Sequence, residues 1–396
     1  MSEVDDDSET GLGRLKFSLI VGNHPIRSRS GAGASKEDCA SNLRQRRIGR
    51  MKALLLEEYK KLKVADLPEP AVAEDEALIR VQACGICGSD IHGYDGSSGR
   101  RVPPLIMGHE AAGSVERIGS AVEGVETGAR VTFNPMLSCG ECEYCRRDET
   151  NLCNSRKVLG VSCEEFRRDG AFAEFVSVPA RNLYTVPDDV SFDHAAMTEP
   201  TTVAVHAVRR TPIKGGETAV VVGTGMIGLL TVQALKVAGC GKVVAIDLAE
   251  EKLQLARELG ADVALNPKSD NVVDAVNDLT GGNGADIAME VVGATPTVKT
   301  SVDVVRRGGY ITFVGNLAPT VELPMQAVVT RELTIFGSCA SNTEFPDSLN
   351  LLSEGRIKVE PFITARASLD ETPGWFERLY AAEAGLMKVI VKPSGN

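Results

Sequence analysis

An α/β chain with a doubly wound parallel sheet, joined to a second, β-rich domain, is the fold this sequence predicts, and three observations carry it. From Gly215 onward, short apolar runs alternate with segments of helical period, the pattern of strands joined by crossover helices. Before Ala180 the runs are short and β-like, punctuated by Gly and Pro. At 396 residues the chain exceeds what one core ordinarily serves, so two domains and a tail are expected.

Residues 1–50 differ in texture from the rest of the chain. An acidic start (Asp5, Asp6, Asp7, Glu9), a Ser/Gly-rich middle (Ser28 to Ser35) and a basic end (Arg44, Arg46, Arg47, Arg50) bury little, and the stretch is expected to be a disordered N-terminal extension. Its acids argue against a targeting peptide, and Met51, which opens a well-patterned strand, reads as the natural start. Residues 51–199 form the β-rich domain, with runs such as Ala77-Leu78-Ile79-Arg80-Val81 and Gly128 to Phe133. Residues 200–315 hold the strands Thr218 to Val222, Lys242 to Ile246, Val263 to Leu265, Asp286 to Val291 and Tyr310 to Val314, with helices between them. Residues 316–396 are mixed and read as a return to the first domain. Thr218 to Leu235 carries no charge and reaches the length of a membrane span, but its three glycines and the following Lys236 fit a buried strand and helix instead.

Charge and cysteine usage narrow the partners. A net charge of −11 repels nucleic acid and anionic membrane surfaces, which leaves a small molecule as the natural ligand. Ten unevenly clustered cysteines without a signal peptide point to a reducing compartment, and a cytoplasmic location is expected.

Gly223-Thr224-Gly225-Met226-Ile227-Gly228 sits between the strand ending at Val222 and a helix that begins at once. In that context the three glycines serve the tight turn, the close approach of pyrophosphate and the packing of helix on strand, which is the Rossmann dinucleotide fingerprint. The helix N-terminus supplies amide donors for the anion. Asp247 ends the next strand, where an acid grips the ribose hydroxyls and repels a 2′-phosphate, so NAD is expected over NADP. Lys252 is a candidate brace for the same ribose, and Val292 and Val314, beside the ends of their strands, complete the expected cofactor set.

Two groups of metal donors stand apart. Cys139, Cys142, Cys145 and Cys153 offer four thiolates, which would close a structural zinc site and leave no open position. Cys87, His109, Glu110 and the distant Glu199 mix donor types, as a catalytic zinc with an open position requires. Ser89 and His92 follow Cys87 closely and are candidates to pass a proton outward, with Asp90 between them as a hydrogen-bond acceptor. Cys84, Cys163, Cys240 and Cys339 read as small buried hydrophobes. His206 and His194 lack partners at metal spacing and read as ordinary helix and loop residues, while Arg100 and Arg101 read as solvated charges, with contact to a polar or phosphorylated substrate the alternative.

Together, Cys87-Gly88-Ser89-Asp90-Ile91-His92, Gly108-His109-Glu110, the cysteine quartet, Glu199-Pro200 and Gly223 to Gly228 with Asp247 resemble the zinc-dependent medium-chain alcohol dehydrogenases, in their polyol and threonine dehydrogenase branch. The resemblance covers about Met51 to Lys392. It implies a GroES-like catalytic domain split in sequence around the nucleotide domain, two zinc ions per chain, an alcohol or polyol substrate oxidised to a ketone, and a homodimer or homotetramer. It leaves Glu110 and Glu199 both open as the carboxylate ligand. Where animal sorbitol dehydrogenases carry an Arg-Tyr pair, this chain has Gly337-Ser338, which weighs against sorbitol itself. Threonine or butanediol dehydrogenase is the alternative within the family, and a non-catalytic NAD-binding zinc protein the alternative outside it.

Overall fold

The computed structural model describes residues 49–163 and 166–395. The disorder expected of residues 1–50 falls on residues outside these, save Gly49 and Arg50, and Arg50 opens the strand Arg50–Glu58.

The nucleotide half is a six-stranded sheet with every neighbouring pair parallel. Across the sheet the strands run Val263–Leu265, Lys242–Ile246, Thr218–Val222, Ala285–Glu290, Val305–Phe313 and Thr334–Gly337. The order reverses beside Thr218–Val222, and ligands of doubly wound sheets bind at the carboxyl ends of strands at such a switch point. Alternation along the central strand loads both faces. Ala219 and Val221 enter one apolar cluster with Leu229 and Leu230, whereas Val220 and Val222 enter another with Val244 and Ile311. Each such buried valine contributes about 1.5–3 kcal/mol of transfer free energy.

Thr334–Gly337 corrects the expected course of the chain. It pairs in parallel with Val305–Phe313, so the nucleotide sheet draws its last strand from beyond residue 316, where a return to the first domain was expected. The return comes later, through Ile363–Ser368 and Lys388–Lys392. These join a seven-stranded sheet built from the β-rich half, in which Lys388–Lys392 pairs with Glu76–Gly85 at Ile390↔Gly85 and Val391↔Cys84. The C-terminal strand therefore lies against the segment that leads into Cys87. The β-rich half has its own core around Leu54, Ile79, Phe133 and Phe172.

Among the described residues no helix is long and apolar enough to cross a membrane, and Thr218 to Leu235 divides into the strand Thr218–Val222 and the helix Met226–Val237.

A buried pair fastens the helix Thr198–Arg209 to the loop before the helix Phe345–Ser353: His206 Nδ1 and Glu344 Oε1 stand 2.9 Å apart. Burial pushes the Glu344 carboxyl up, but the His206 ring and the Asn342 N–H outweigh it and leave it below its ordinary value. A depressed carboxyl stabilises the fold above its unfolded pKa of about 4.3 and loses that contribution as pH falls through the folded value. Glu344→Gln is thus expected to cost about 1–3 kcal/mol near neutrality and to flatten the acid limb of stability below about pH 4, measured by urea unfolding across pH.

Candidate active site

The helix Gly88–Tyr94 begins where Cys87 caps it. The Cys87 side chain accepts from Ser89 N at 3.4 Å, and Asp90 Oδ2 accepts from Cys87 N at 3.2 Å. This reciprocal cap holds the thiol at the mouth of the helix. His109 and Glu110 stand at the start of the strand Glu110–Ile118, and Gly85↔Glu110 pairing sets them beside the Cys87 loop. The donor atoms of Cys87, His109 and Glu110 lie within 4.8 Å of one another, close enough for a single ion to bridge them.

Electrostatics complete the trio. Asp90 Oδ1 faces His109 Nδ1 at 3.4 Å and Arg101 Nη2 at 3.2 Å. Burial pushes the Asp90 carboxyl up, but these neighbours outweigh it and hold the group at about 2, so it is an anion. The same anion and the Cys87 sulfur raise the His109 ring well above its usual value against the opposing effect of burial. Glu110 is buried with one oxygen, Oε2, bound by Lys388 Nζ, while Oε1 has no partner. A buried carboxylate oxygen without a donor is expensive, and a cation placed against it would satisfy it.

Glu199, the second candidate carboxylate, opens the helix Thr198–Arg209 and is not among those three donors, although it feels the charges of His109, Glu110 and Lys388. Burial raises its carboxyl to about 7. Cys84 is fully buried, as expected, and burial pushes its thiol up.

The cysteine quartet closes on itself. Sγ–Sγ separations are 3.5 Å for Cys142–Cys145, 3.5 Å for Cys153–Cys139 and 3.9 Å for Cys139–Cys145. A disulfide needs about 2.05 Å, whereas Zn–S bonds of about 2.3 Å in a tetrahedron put sulfurs roughly 3.8 Å apart. Backbone N–H groups of Cys145 and Asn154 hold the Cys142 thiol down at about 6, while burial pushes Cys153 up to about 11. The residues fit a closed four-thiolate zinc site.

The nucleotide side is built as the motif demands. Gly223 has φ +96°, and a Cβ there would meet Val292 Cγ2 at 2.3 Å; a Cβ on Gly228 would stand 1.9 Å from Gly223 O. Gly225 is exposed, and a Cβ there would meet nothing within 4 Å, so its backbone is open to a ligand at the start of the helix Met226–Val237. Asp247 accepts from Thr224 N at 2.7 Å and from Ala249 N at 3.1 Å, which aims it at the glycine loop.

One cleft of about 1220 Å³ joins the two sides. Ser89, His92, Arg100 and Arg101 of the β-rich half line it, as do Gly223, Gly225, Asp247, Lys252 and Val292 of the nucleotide half. Met226, Ile227 and Val314 pack against the apolar core, and Gly228 is buried beneath the loop. The sequence reading missed one residue of the site and misjudged the burial of another. Lys388 begins an ordinary strand, and Arg101, read as solvated, is 4% exposed. Cys339 corrects another expectation, since it is exposed. His206, read as an ordinary helix residue, is buried and paired.

Fold and site together define a class: a two-domain oxidoreductase that sets metal donors against a dinucleotide fold. Residues 73–188 match the alcohol dehydrogenase GroES-like domain, and residues 227–354 match the zinc-binding dehydrogenase domain. Sorbitol dehydrogenase of Bacillus subtilis (strain 168) is 32% identical over 349 residues, 87% of this chain and 98% of that protein. D-arabitol-phosphate dehydrogenase of Enterococcus avium is 32% identical over 339 residues, 84% of this chain and 94% of that protein. A solved structure described as a zinc-binding dehydrogenase from Sinorhizobium meliloti 1021 bound to NADP has a TM-score of 0.81 and 35% identity, covering 87% of this chain and 100% of that one. The chain belongs to the zinc-dependent medium-chain alcohol dehydrogenases, in the branch of the polyol and threonine dehydrogenases, and it is an oxidoreductase of CH–OH donors.

Proposed function

We propose that the chain oxidises a secondary alcohol in a polyol-type substrate to a ketone with NAD as acceptor, using one catalytic and one structural zinc. The continuity of the cleft from Ser89 and His92 to Gly225 and Asp247 carries this reading, because an alcohol carbon and a nicotinamide must meet for hydride to pass.

Cys87, His109 and the free Oε1 of Glu110 would hold the catalytic zinc, with Glu199 beside them. Cys139, Cys142, Cys145 and Cys153 would hold the structural one. When bound, the first zinc supplies Lewis acidity toward the alcohol oxygen and the nicotinamide supplies the hydride acceptor. Ser89 Oγ would accept the alcohol proton as its own hydroxyl proton passes to the His92 ring, which is exposed and hands a proton on to solvent. The glycine loop from Gly223 to Gly228 seats the pyrophosphate and Asp247 the ribose, with Lys252 and Val292 along the same wall.

The nucleotide domain in this reading runs from residue 200 to Gly337, and the remainder belongs to the catalytic domain. A homodimer or homotetramer is supported by the exposed sheet edge at Thr334–Gly337 beside Met325 and Val329, which are 60% and 66% exposed. Light scattering tests it, and a monomer at micromolar concentration would count against it.

Purified zinc-loaded protein is expected to form NADH on at least one polyol. Silence across a broad panel of alcohols, with NAD shown to bind, would refute the reading, and activity on threonine or butanediol alone would move it within the family. Phosphorylated polyols belong in that panel. Arg100 is exposed at the cleft and makes no ion pair among the described residues, and Asp247 is the single acid among the residues lining the cleft. Asp247→Ser is expected to raise the kcat/KM ratio of NADP over NAD by at least about tenfold, since removing a like charge near a 2′-phosphate need contribute only about 1.4 kcal/mol. An unchanged ratio in parallel assays would rule out Asp247 as the discriminating acid.

A further inference from the structure

Arg101 stands where its surroundings give it a task. Its aliphatic stem lies across Gly93: a Cβ on Gly93 would fall 2.6 Å from Arg101 Cγ and 2.9 Å from its Cβ and Cδ, so the bare glycine is what admits the arginine to the helix Gly88–Tyr94. Nη2 donates to Ser89 Oγ at 3.0 Å and to Asp90 Oδ1 at 3.2 Å. Nε is buried without a partner, and Arg101 lines the cleft together with Ser89 and His92.

We infer that Arg101 is a positioning residue that orients the Ser89 hydroxyl to receive the substrate proton, an inference that rests on the function proposed above. A hydroxyl has one hydrogen and two lone pairs. Arg101 occupies one lone pair, and the hydrogen rests toward Cys87 Sγ at 3.3 Å, from which it turns to the His92 ring and leaves as the substrate proton arrives. One lone pair is left, and it is the one available to the alcohol. Without the guanidinium the hydroxyl is free to rotate and to bind water through both lone pairs. The fixed positive charge also favours the negative charge that develops on the substrate oxygen as its proton leaves. Because the same Nη2 holds Asp90, which accepts from Cys87 N at 3.2 Å, the relay hydroxyl is tied to the loop that carries the metal donors.

The test is a double-mutant cycle of Arg101→Lys and Ser89→Ala, assayed with NAD and the best substrate alongside zinc content and urea unfolding. Lysine keeps a charge, but its side chain is one atom shorter and sets the ammonium short of the point from which Nη2 reaches both Ser89 Oγ and Asp90 Oδ1. Arg101→Lys is expected to lower kcat about 10–100-fold, with KM for NAD, zinc content and unfolding midpoint unchanged, and to add less than about twofold in the Ser89→Ala background. Equal losses in both backgrounds, an undiminished kcat, or a loss of zinc or stability that accounts for the lost activity would overturn the inference. A wild type inert to every alcohol removes the proposed function and this role together, whereas an active wild type with any of those results removes the role of Arg101 alone.

Discussion

Replacing Lys388 with methionine is expected to lower the unfolding free energy of the zinc-free protein by about 3–5 kcal/mol, read from urea denaturation at neutral pH. Lys388 is 1% exposed, and its Nζ donates to Ile86 O at 2.8 Å and to Glu110 Oε2. Burial alone would lower the ammonium pKa, but the Glu110 carboxylate beside it outweighs burial and raises it, so Lys388 is a cation inside the protein. Removing one member leaves the other as an uncompensated buried charge, and that desolvation penalty, more than the lost contact, sets the size of the effect. Adding Glu110→Gln to Lys388→Met should therefore recover much of the loss, because a neutral pair has no such penalty. A single variant as stable as the wild type would mean that Glu110 finds its charge partner elsewhere. Gly85 belongs to the same arrangement: a Cβ there would stand 2.3 Å from Glu110 Oε2.

Cys87→Ser is expected to lower kcat/KM by about a thousandfold, measured with the best alcohol and saturating NAD, and, on the proposed two-site reading, to leave one bound zinc per chain in place of two. Lewis-acid stabilisation contributes several kcal/mol, and each 1.36 kcal/mol is tenfold in rate. The serine oxygen is a poor replacement for a thiolate, and it also weakens the cap that Cys87 places on the helix Gly88–Tyr94. Cys87 is only half-buried and its N–H keeps the bond to Asp90 Oδ2, so the unfolding midpoint should move little while activity collapses. Retention of both zinc ions with full activity would take Cys87 out of the ligand set. Loss of both ions would show that the quartet and the trio are coupled.

Much of this molecule is legible because its signals are local. The glycine fingerprint needs only a strand, a turn and a helix in succession, and the steric reasons for Gly223 and Gly228 act across a few residues. The cysteine quartet spans Cys139 to Cys153, so its closure follows from short spacing. Thr334–Gly337 gave no such signal. It is four residues long, lies at the sheet edge with its side chains half exposed or exposed, and is recognisable as a strand only through its pairing with Val305–Phe313.

By itself the sequence determined the α/β class and the dinucleotide turn with Asp247, and it picked out the candidate zinc donors and the Ser89–His92 pair proposed as a relay, since these rest on residue type in local motifs. Tertiary structure alone decided which carboxylate stands with Cys87 and His109, where Lys388 and Arg101 lie, and how far the nucleotide sheet runs. Lys388 and Glu110 are 278 residues apart, and whether a charge is buried or solvated depends on which distant segments close over it. No spacing rule carries that information. A lysine at the start of a strand and an arginine in a basic pair read as surface residues until the fold brings a carboxylate to each.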